Sequence, residues 1–521
     1  MGEVNANIFP DLLIRADADP EMGTGHVMRC LAIAQTWENL GGRSTFLGHW
    51  KNPYLQERVV TPKIDFIEII KPYTKHKDLK ITLSQLNRLK RKTGQKPWLI
   101  LDGYHFSDDF QKAIKESNFP LLVLDDTVNL KKYYADIILN PNFHCKKLIY
   151  PVSAETLILS GPEFFPLRKE FLKISGRKKF FSSRAKKILI TLGGSNQAQL
   201  LRKIVKAAIE FSFWALELTV IYNEELPDEN VFIKKAKIKG HKIIFLKSVP
   251  QMAALMKEMD LIITAAGTTL LEASFLGIPC LTGYLARNQK INESGFKIAG
   301  AAISIGSWRR ASIKKIRTNL FELILESKKR RVLSKNAKQI VAGKGAHYLS
   351  QLLFYFFQKI PPGKIILRLA EKRDCISLWQ LANEPAVRAN SFNKKTIPLK
   401  HHMKWFSARI NSRDTIFWVV EFSGVIAGQI RYDKVSSEKA LLNFSVSGSF
   451  RGKGLGTFLL NSTKNLLFRK MNITSCIEAI VFTENLASKK SFEKAGFQLD
   501  EIREIEGKMC FVFLYFKKSE Y

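Results

Sequence analysis

The residues best suited to chemistry stand together near the start of the chain. Arg15, Asp17, Gly23, Gly25, His26 and Arg29 share one short stretch. The apolar run Asp11–Ala16 before it reads as a strand, and Val27–Leu40 after it reads as a helix. Glycines at a strand-to-helix turn let the backbone approach a bound group, and a helix N-terminus favours anions. His26 falls at that terminus. A neutral imidazole there can act as a general base, and the helix dipole helps to keep it unprotonated. The plainer alternative is a tight turn holding an incidental histidine. The spacing is not G-x-G-x-x-G, so it is not a nicotinamide dinucleotide fingerprint.

Two further glycine turns lie downstream. Gly193, Gly194 and Ser195 end the strand candidate Lys187–Leu192, ahead of the helix Gln197–Phe211. Gly267, Thr268 and Thr269 follow the strand candidate Leu261–Thr264. Backbone N–H groups at such turns can bind diphosphate oxygens without a metal. Glu272, about one helical turn later, is either a ribose-binding carboxylate or an ordinary acidic residue favoured by the helix dipole. A third loop, Arg451 to Thr457, carries Gly452, Lys453, Gly454 and Gly456. It follows the strand candidate Leu441–Val446 and opens the helix Gly454–Lys470. Its N–H groups and basic side chains suit a pyrophosphate.

The elements around these loops define the fold class. Short apolar runs at Ser44–Leu47, Trp98–Leu101, Leu121–Leu124 and Ile137–Leu139 read as strands, several of them separated by helices. A second series comprises Leu216–Tyr222, Lys242–Leu246 and Pro279–Thr282. Both series have the pattern of a parallel sheet covered on two faces. Pro361, Pro362 and Gly363 then punctuate the chain. Beyond them Ile416–Phe422 and Ile426–Tyr432 read as a hairpin about Ser423 and Gly424, and Cys476–Val481 as a later strand. The expected fold is α/β: two Rossmann-like domains of GT-B type, residues 8–165 and 185–350, then an α+β domain at 365–517. Two doubly wound domains in tandem place a ligand in the cleft between them.

Composition narrows the function classes. The chain has 521 residues and a net charge of +35. The lysines are spread along its whole length with no interleaved aromatics, which argues against nucleic acid as partner and for anionic small molecules. No apolar run approaches the roughly 18–20 residues of a membrane span, and the start lacks a signal-peptide pattern. A cytoplasmic protein with no membrane partner is expected. The six cysteines form no C-x-x-C pair, so reduced thiols and no metal are expected.

Two resemblances sharpen this reading. The run RADADPEMGTGHVMRCLAIAQ closely resembles the opening of the UDP-2,4-diacetamido-2,4,6-trideoxy-β-L-altropyranose hydrolases of pseudaminic acid biosynthesis. That family has two Rossmann-like domains akin to those of the MurG glycosyltransferase. Further matches follow in order: Asp102 and Tyr104; Asp125 and Asp126; Asp136 to Asn142; Gly193 to Ser195; Ala265 to Glu272; Asn288 and Gln289; and Gly343 to His347. Asn196 stands where the family often has Asp. The resemblance implies metal-independent release of UDP with inversion, His26 activating water. It implies Asp17 and Asn288 as further catalytic residues, and Arg15, Gly25, Arg29, Asp102, Tyr104, Gly194, Ser195, Gly267, Thr268, Thr269, Glu272 and Gln289 as substrate-binding ones.

The Arg451 loop, read as R-x-x-G-x-G, resembles motif A of the GNAT-type N-acetyltransferases. The later run from Asn485 through Ser488 and Phe492 to Gly496 and Phe497 resembles a second motif of that family. The implied co-substrate is acetyl-CoA, held by Arg451, Gly452, Lys453, Gly454, Gly456, Thr457, Asn485 and Ser488. Phe492 occupies a position where many members have a proton-donating Tyr, and Phe cannot donate. His402, with Trp405, matches a pattern in the pathway's own acetyltransferase and is a candidate base, or else a packing residue. A bifunctional enzyme is the leading expectation. A hydrolase with a degenerate acetyltransferase domain, and a GT-B glycosyltransferase fused to an acyltransferase, are the alternatives.

Overall fold

A computed structural model describes the chain except residues 1–8, 20–22, 52, 71–73, 144–147, 154, 175–180, 194–196, 212–213, 223–225, 227, 248, 357–363 and 517–521. Gly194, Ser195, Asn196, Cys145 and the Pro361–Gly363 boundary therefore lie outside the described residues. The chain forms two compact units. One runs to Val152 and from Ile158 to Leu353; the other takes Ser153–Leu157 and the chain from Phe354 onward.

The first unit is α/β and contains two sheets. In spatial order the first is Ile64–Glu68, Ser44–Gly48, Leu12–Ala16, Trp98–Asp102, Leu121–Leu124, Ile137–Asn140 and Leu157–Ser160. The second is Lys242–Leu246, Glu217–Ile221, Lys187–Thr191, Leu261–Ala265, Cys280–Tyr284 and Ile303–Ser307. Neighbouring strands pair in parallel from Ile64–Glu68 to Ile137–Asn140 and throughout the second sheet. Leu12–Ala16, Trp98–Asp102 and Leu261–Ala265 are buried along their whole length. A strand with helices on both faces has no wet side, so a continuous apolar run is stable there.

Each sheet reverses direction of growth once. In the first, the reversal lies between Leu12–Ala16 and Trp98–Asp102; in the second, between Lys187–Thr191 and Leu261–Ala265. The loops leaving adjacent strands there must diverge to opposite faces, which opens a crevice at the strands' carboxyl ends. The three glycine turns singled out from sequence in this unit follow three of those four strands, Leu12–Ala16, Lys187–Thr191 and Leu261–Ala265. The helix after the first turn spans Gly25–Asn39, starting ahead of the expected Val27, so His26 is part of its first turn.

The second unit is built on one mixed sheet. Its order is Ile365–Leu369, Thr415–Phe422, Val425–Lys434, Lys439–Val446, Cys476–Phe482, Lys508–Phe516 and Gln498–Ile505. The first four pair antiparallel in sequence. Ser423 and Gly424 both have positive φ, 49° and 77°, as a two-residue type I′ hairpin requires. Lys439–Val446 and Cys476–Phe482 are parallel and pair only from Lys439–Cys476 to Leu442–Ala479. Both strands continue past that point, so they splay apart toward the Arg451 loop.

Candidate functional site

The strand Leu12–Ala16 and the residue after it deliver two charged side chains, Arg15 and Asp17, into a buried setting. Arg15 donates to Asp78 at 2.9 Å and to Asp17 at 3.0 Å, and Asp17 also accepts the His49 backbone N–H at 2.8 Å. Burial opposes the guanidinium charge, but Asp78 and Asp17 outweigh it and raise the Arg15 pKa. The resemblance implies Arg15 as a substrate-binding residue and Asp17 as a catalytic one; the structure places both behind the cleft wall. Neither lines the cleft. Arg15 follows the alternation of a strand buried on both faces, so its charge is neutralised inside the lobe and braces the loop from behind.

The cleft itself is lined by Gly25, His26, Arg29, Tyr104, Asp126 and Asn142 from the first lobe. The second lobe contributes Gly193, Gly267, Thr268, Thr269, Asn288, Gln289 and Asn292. The helices Gly25–Asn39, Thr268–Leu276 and Arg287–Ile298 all begin at this cleft, and none has a side-chain cap. Three helix N-termini therefore turn their positive ends to one space. Gly25 and Thr268 face each other across it: a methyl group added at Gly25 would lie 3.9 Å from the Thr268 hydroxyl oxygen.

His26 is held from below. Its Nδ1 lies 2.5 Å from Asp102 Oδ1, and the Asp102 side chain has no solvent exposure. Burial alone would push the Asp102 pKa up, but the Arg29 guanidinium more than offsets this and the pKa is lowered. An ionised Asp102 accepts from Nδ1–H, which leaves Nε2 of the neutral ring as the basic nitrogen. Arg29 donates to both Asp102 oxygens, at 2.6 and 2.7 Å, and to Asp126 at 2.9 Å. Asp102, which the resemblance implies as a substrate contact, lies behind the cleft and holds His26 and Arg29.

Asp126 gathers a second group of partners. It accepts from Tyr104 Oη at 2.9 Å and from Asn142 Nδ2 at 2.7 Å. Burial and then Asp126 raise the Tyr104 pKa, so the phenol keeps its proton. That oxygen accepts in turn from Asn288 Nδ2 of the second lobe at 2.8 Å. Asn292 adds a second crossing, donating to Asn142 Oδ1 at 2.6 Å and accepting from Phe143 N–H at 2.7 Å. Asn288 and Asn292 are one helical turn apart, so one helix face makes both contacts. Asp126, Asn142 and Asn292 were not singled out from sequence as site residues. Their only signals were Asp126 and Asn142 in the ordered matches and the four-residue step from Asn288 to Asn292.

Glu272, open from its position between a ribose contact and an ordinary first-turn acid, is paired with Arg168. It accepts two hydrogen bonds from Arg168, at 3.0 and 2.8 Å, and does not line the cleft. Burial raises its pKa against the opposing Arg168 charge. Arg168 lies more than a hundred residues away in sequence, so this pairing had no local signal.

In the second unit, Gly452 and Gly454 have φ of 72° and 84°, and Gly454 caps the helix Leu455–Met471. No heavy atom lies within 4 Å of a methyl group added at either, so conformation and not crowding demands glycine there. At Gly456 the demand is space, since an added methyl would lie 3.2 Å from Phe444 and Ser491. Thr457 is in the helix's first turn. The Lys453 amine sits over the rings of Phe356 and Phe450, at 5.1 and 5.4 Å, and burial lowers its pKa to about 8. Asn485 Oδ1 accepts from Ser488 N–H at 3.1 Å, capping the helix Leu486–Lys494. Arg451 does not stand free toward a ligand: it donates to Glu384 at 2.7 Å and to the Val446 carbonyl at 3.0 Å.

Phe492 is buried among Phe444, Phe497 and Phe513, with ring centroids 5.1–5.4 Å away. His402, a candidate base or else a packing residue from sequence, is enclosed by aromatic side chains. It is 3% exposed, stacks on Phe406 at 5.9 Å, and burial lowers its pKa. Its helix, Leu399–Ile410, turns His402 and Phe406 to the same inner face because they are four residues apart. Among the described residues no cluster of His, Cys, Asp and Glu could hold a metal, and no helix is long and apolar enough to cross a membrane.

The geometry defines a chain of two parts, a two-lobed α/β unit with an anion-ready cleft and a mixed-sheet unit with a splayed strand pair. Residues 188–350 match the glycosyltransferase family 28 C-terminal domain, and residues 364–498 match the acetyltransferase (GNAT) domain. An uncharacterised protein of Methanocaldococcus jannaschii is 26% identical over 94% of this chain and 96% of its own length. The spore coat polysaccharide biosynthesis protein SpsG of Bacillus subtilis is 24% identical over 65% of this chain and 96% of its own. The Helicobacter pylori protein named pseudaminic acid cytidylyltransferase and UDP-2,4-diacetamido-2,4,6-trideoxy-β-L-altropyranose hydrolase is 26% identical. That match covers 56% of this chain and 46% of the relative.

Proposed function

We propose that the first unit hydrolyses a UDP-linked 2,4-diacetamido-2,4,6-trideoxy sugar, as the name of the Helicobacter pylori relative suggests. The observation that carries the reading is His26, buttressed by Asp102 at the mouth of three uncapped helices. Nε2 of His26 takes a proton from water as the oxygen attacks the anomeric carbon. The bond from that carbon to the β-phosphate oxygen breaks, and UDP leaves with its charge facing the helix N-termini. Gly267, Thr268 and Thr269, with Gln289 and Asn288, hold the diphosphate end. His26→Ala in the full-length protein is expected to slow UDP release by at least about a hundredfold, with UDP binding retained in calorimetry. Wild-type turnover in that variant would overturn the reading.

A second reading, sugar transfer, is favoured by the match to a glycosyltransferase domain. Reaction in ¹⁸O-labelled water separates the two. Label in the free sugar supports hydrolysis, whereas UDP release that waits on an added sugar acceptor supports transfer.

The second unit, in the same proposal, acetylates the 4-amino precursor of that sugar with acetyl-CoA. The Gly452–Gly454 loop and the splayed strands fit the coenzyme: the loop's N–H groups and Lys453 would hold its pyrophosphate, and its thioester supplies the acetyl group. The acceptor amine forms the new amide bond as the carbon–sulfur bond breaks. Phe492 cannot protonate the departing thiolate, so water takes up the proton lost by the nitrogen and returns one to the sulfur. Incubation with the UDP-linked amino sugar and acetyl-CoA, followed by mass spectrometry, tests this. No acetylated product would indicate an inactive acetyltransferase domain.

A further inference from the structure

Glu384 was not flagged by any motif, yet three donors converge on it. It lies between the helices Cys375–Ala382 and Pro385–Ala389, where it is the N-cap of the second. One oxygen accepts from Ser447 Oγ at 2.9 Å. The other accepts from Gly448 N–H at 3.0 Å and from Arg451 Nη2 at 2.7 Å. These donors span the end of the strand Lys439–Val446 and the entrance to the glycine loop. Burial raises the Glu384 pKa, which by itself would suit an acid or base. The contacts argue otherwise: three of the carboxylate's roughly four acceptor sites are taken by donors from the strand end and the loop, so its bonds are spent on the protein's own backbone and side chains.

We infer that Glu384 is a positioning residue that sets the glycine loop for coenzyme A, and that Arg451 acts through it rather than on the pyrophosphate. This rests on the acetyltransferase reading of the second unit. A loop with left-handed glycines at two of three successive positions has many alternatives in the free chain. Tying its first residue and the preceding strand end to one carboxylate removes them before the ligand arrives, which lowers the ordering cost of binding. Arg451 is held at two points, by Nη2 on Glu384 and by Nε on the Val446 carbonyl, which sets its direction as well.

The test is calorimetric titration of coenzyme A into the full-length protein, alongside acetyl-transfer kinetics. Glu384→Ala leaves three donors without their acceptor and is expected to weaken coenzyme A binding by about tenfold or more. KM for acetyl-CoA should rise while kcat changes less than about threefold. Glu384→Gln should restore binding to within about threefold. Its amide oxygen can accept from Gly448 and Arg451, and its amide NH₂ can donate to the Ser447 hydroxyl, which also accepts. Adding Arg451→Ala to Glu384→Ala should cost little more than either change alone. Loss of turnover in Glu384→Gln with coenzyme A binding intact would make Glu384 a proton carrier and overturn the inference. So would unchanged binding in Glu384→Ala, or full additivity with Arg451→Ala. Should Glu384→Ala not fold, Ser447→Ala replaces it, with a loss of about threefold expected and no loss decisive against the inference. If the wild-type protein binds no coenzyme A, it is the acetyltransferase reading that fails.

Discussion

Asp102 illustrates how much one buried carboxylate can organise. It accepts from His26 and twice from Arg29, and has no contact with solvent. Asp102→Asn keeps the volume but removes the charge that fixes the imidazole tautomer. UDP release should fall by about a hundredfold or more, while UDP affinity stays near wild type. Equal turnover in the two proteins would show that His26 needs no such support. Lys453 offers a pH test at the same scale. Its pKa is lowered to about 8, so the amine is charged below that pH and neutral above it. Attraction to an anionic pyrophosphate is therefore complete near pH 7 and is lost as the pH rises through about 8. Calorimetry with coenzyme A from about pH 7 to about pH 9 should show weakening affinity. Lys453→Arg should flatten the profile, since a guanidinium keeps its charge there. A flat wild-type profile would exclude Lys453 as an electrostatic contact.

At the scale of elements, the glycine loops were legible because their residue types are dictated by backbone conformation. Gly452 and Gly454 show it directly, with positive φ and open space around them. Gly454→Ala should cost about 1–2 kcal/mol of stability and weaken coenzyme A binding, both readable by thermal unfolding and calorimetry. The central strands were legible for a related reason. Leu12–Ala16 and Leu261–Ala265 are buried throughout and read as unbroken apolar runs. Edge strands were read less evenly: Lys242–Leu246 was marked, but Ile64–Glu68 and Ile303–Ser307 were not, and all three are only partly buried. Gln498–Ile505, at the edge of the third sheet, is exposed almost throughout. Such strands are defined by pairing with a neighbour, which leaves a faint mark on composition. The same limit explains Glu272 and Arg15. Their residue types suggested ligand contacts, but their partners Arg168 and Asp78 are remote in sequence and come close only on folding. His402 was read two ways, and the helix face it shares with Phe406 favours packing. His402→Leu should leave acetyl transfer within about threefold of wild type. A collapse of kcat with the unit still folded would restore it as a base.

For the molecule as a whole, the net charge of +35 exceeds what any one anion site needs. Most of it is spread over the surface, where it acts as a long-range field rather than a contact. Both proposed substrates, a nucleoside diphosphate sugar and coenzyme A, are anionic. Their association rates should fall by about tenfold as salt rises from about 0.01 M to about 0.15 M, measured by stopped-flow fluorescence. A rate indifferent to salt would show that the field is not focused on either site. The chain's division into two compact units carries its own expectation. His26→Ala, which abolishes UDP release in the proposed mechanism, should leave acetyl transfer unchanged.

The Tyr104 hydroxyl has one hydrogen to give. It gives that hydrogen to Asp126 in its own lobe and receives one from Asn288 in the other. The direction of the whole chain, Asn288 to Tyr104 to Asp126, is therefore set by a proton count. Reversing it would require a proton on the buried Asp126, whose pKa is lowered against burial by Arg29. A nucleotide that draws Asn288 toward its phosphates takes away the donor to Tyr104 and leaves the phenol oxygen open to another. In the proposed reaction, the sugar's own hydroxyl or amide N–H is the natural replacement. Occupancy of one lobe would thereby expose a hydrogen-bond acceptor on the opposite lobe, beside His26, so that the same event that seats the leaving group prepares the grip on the sugar.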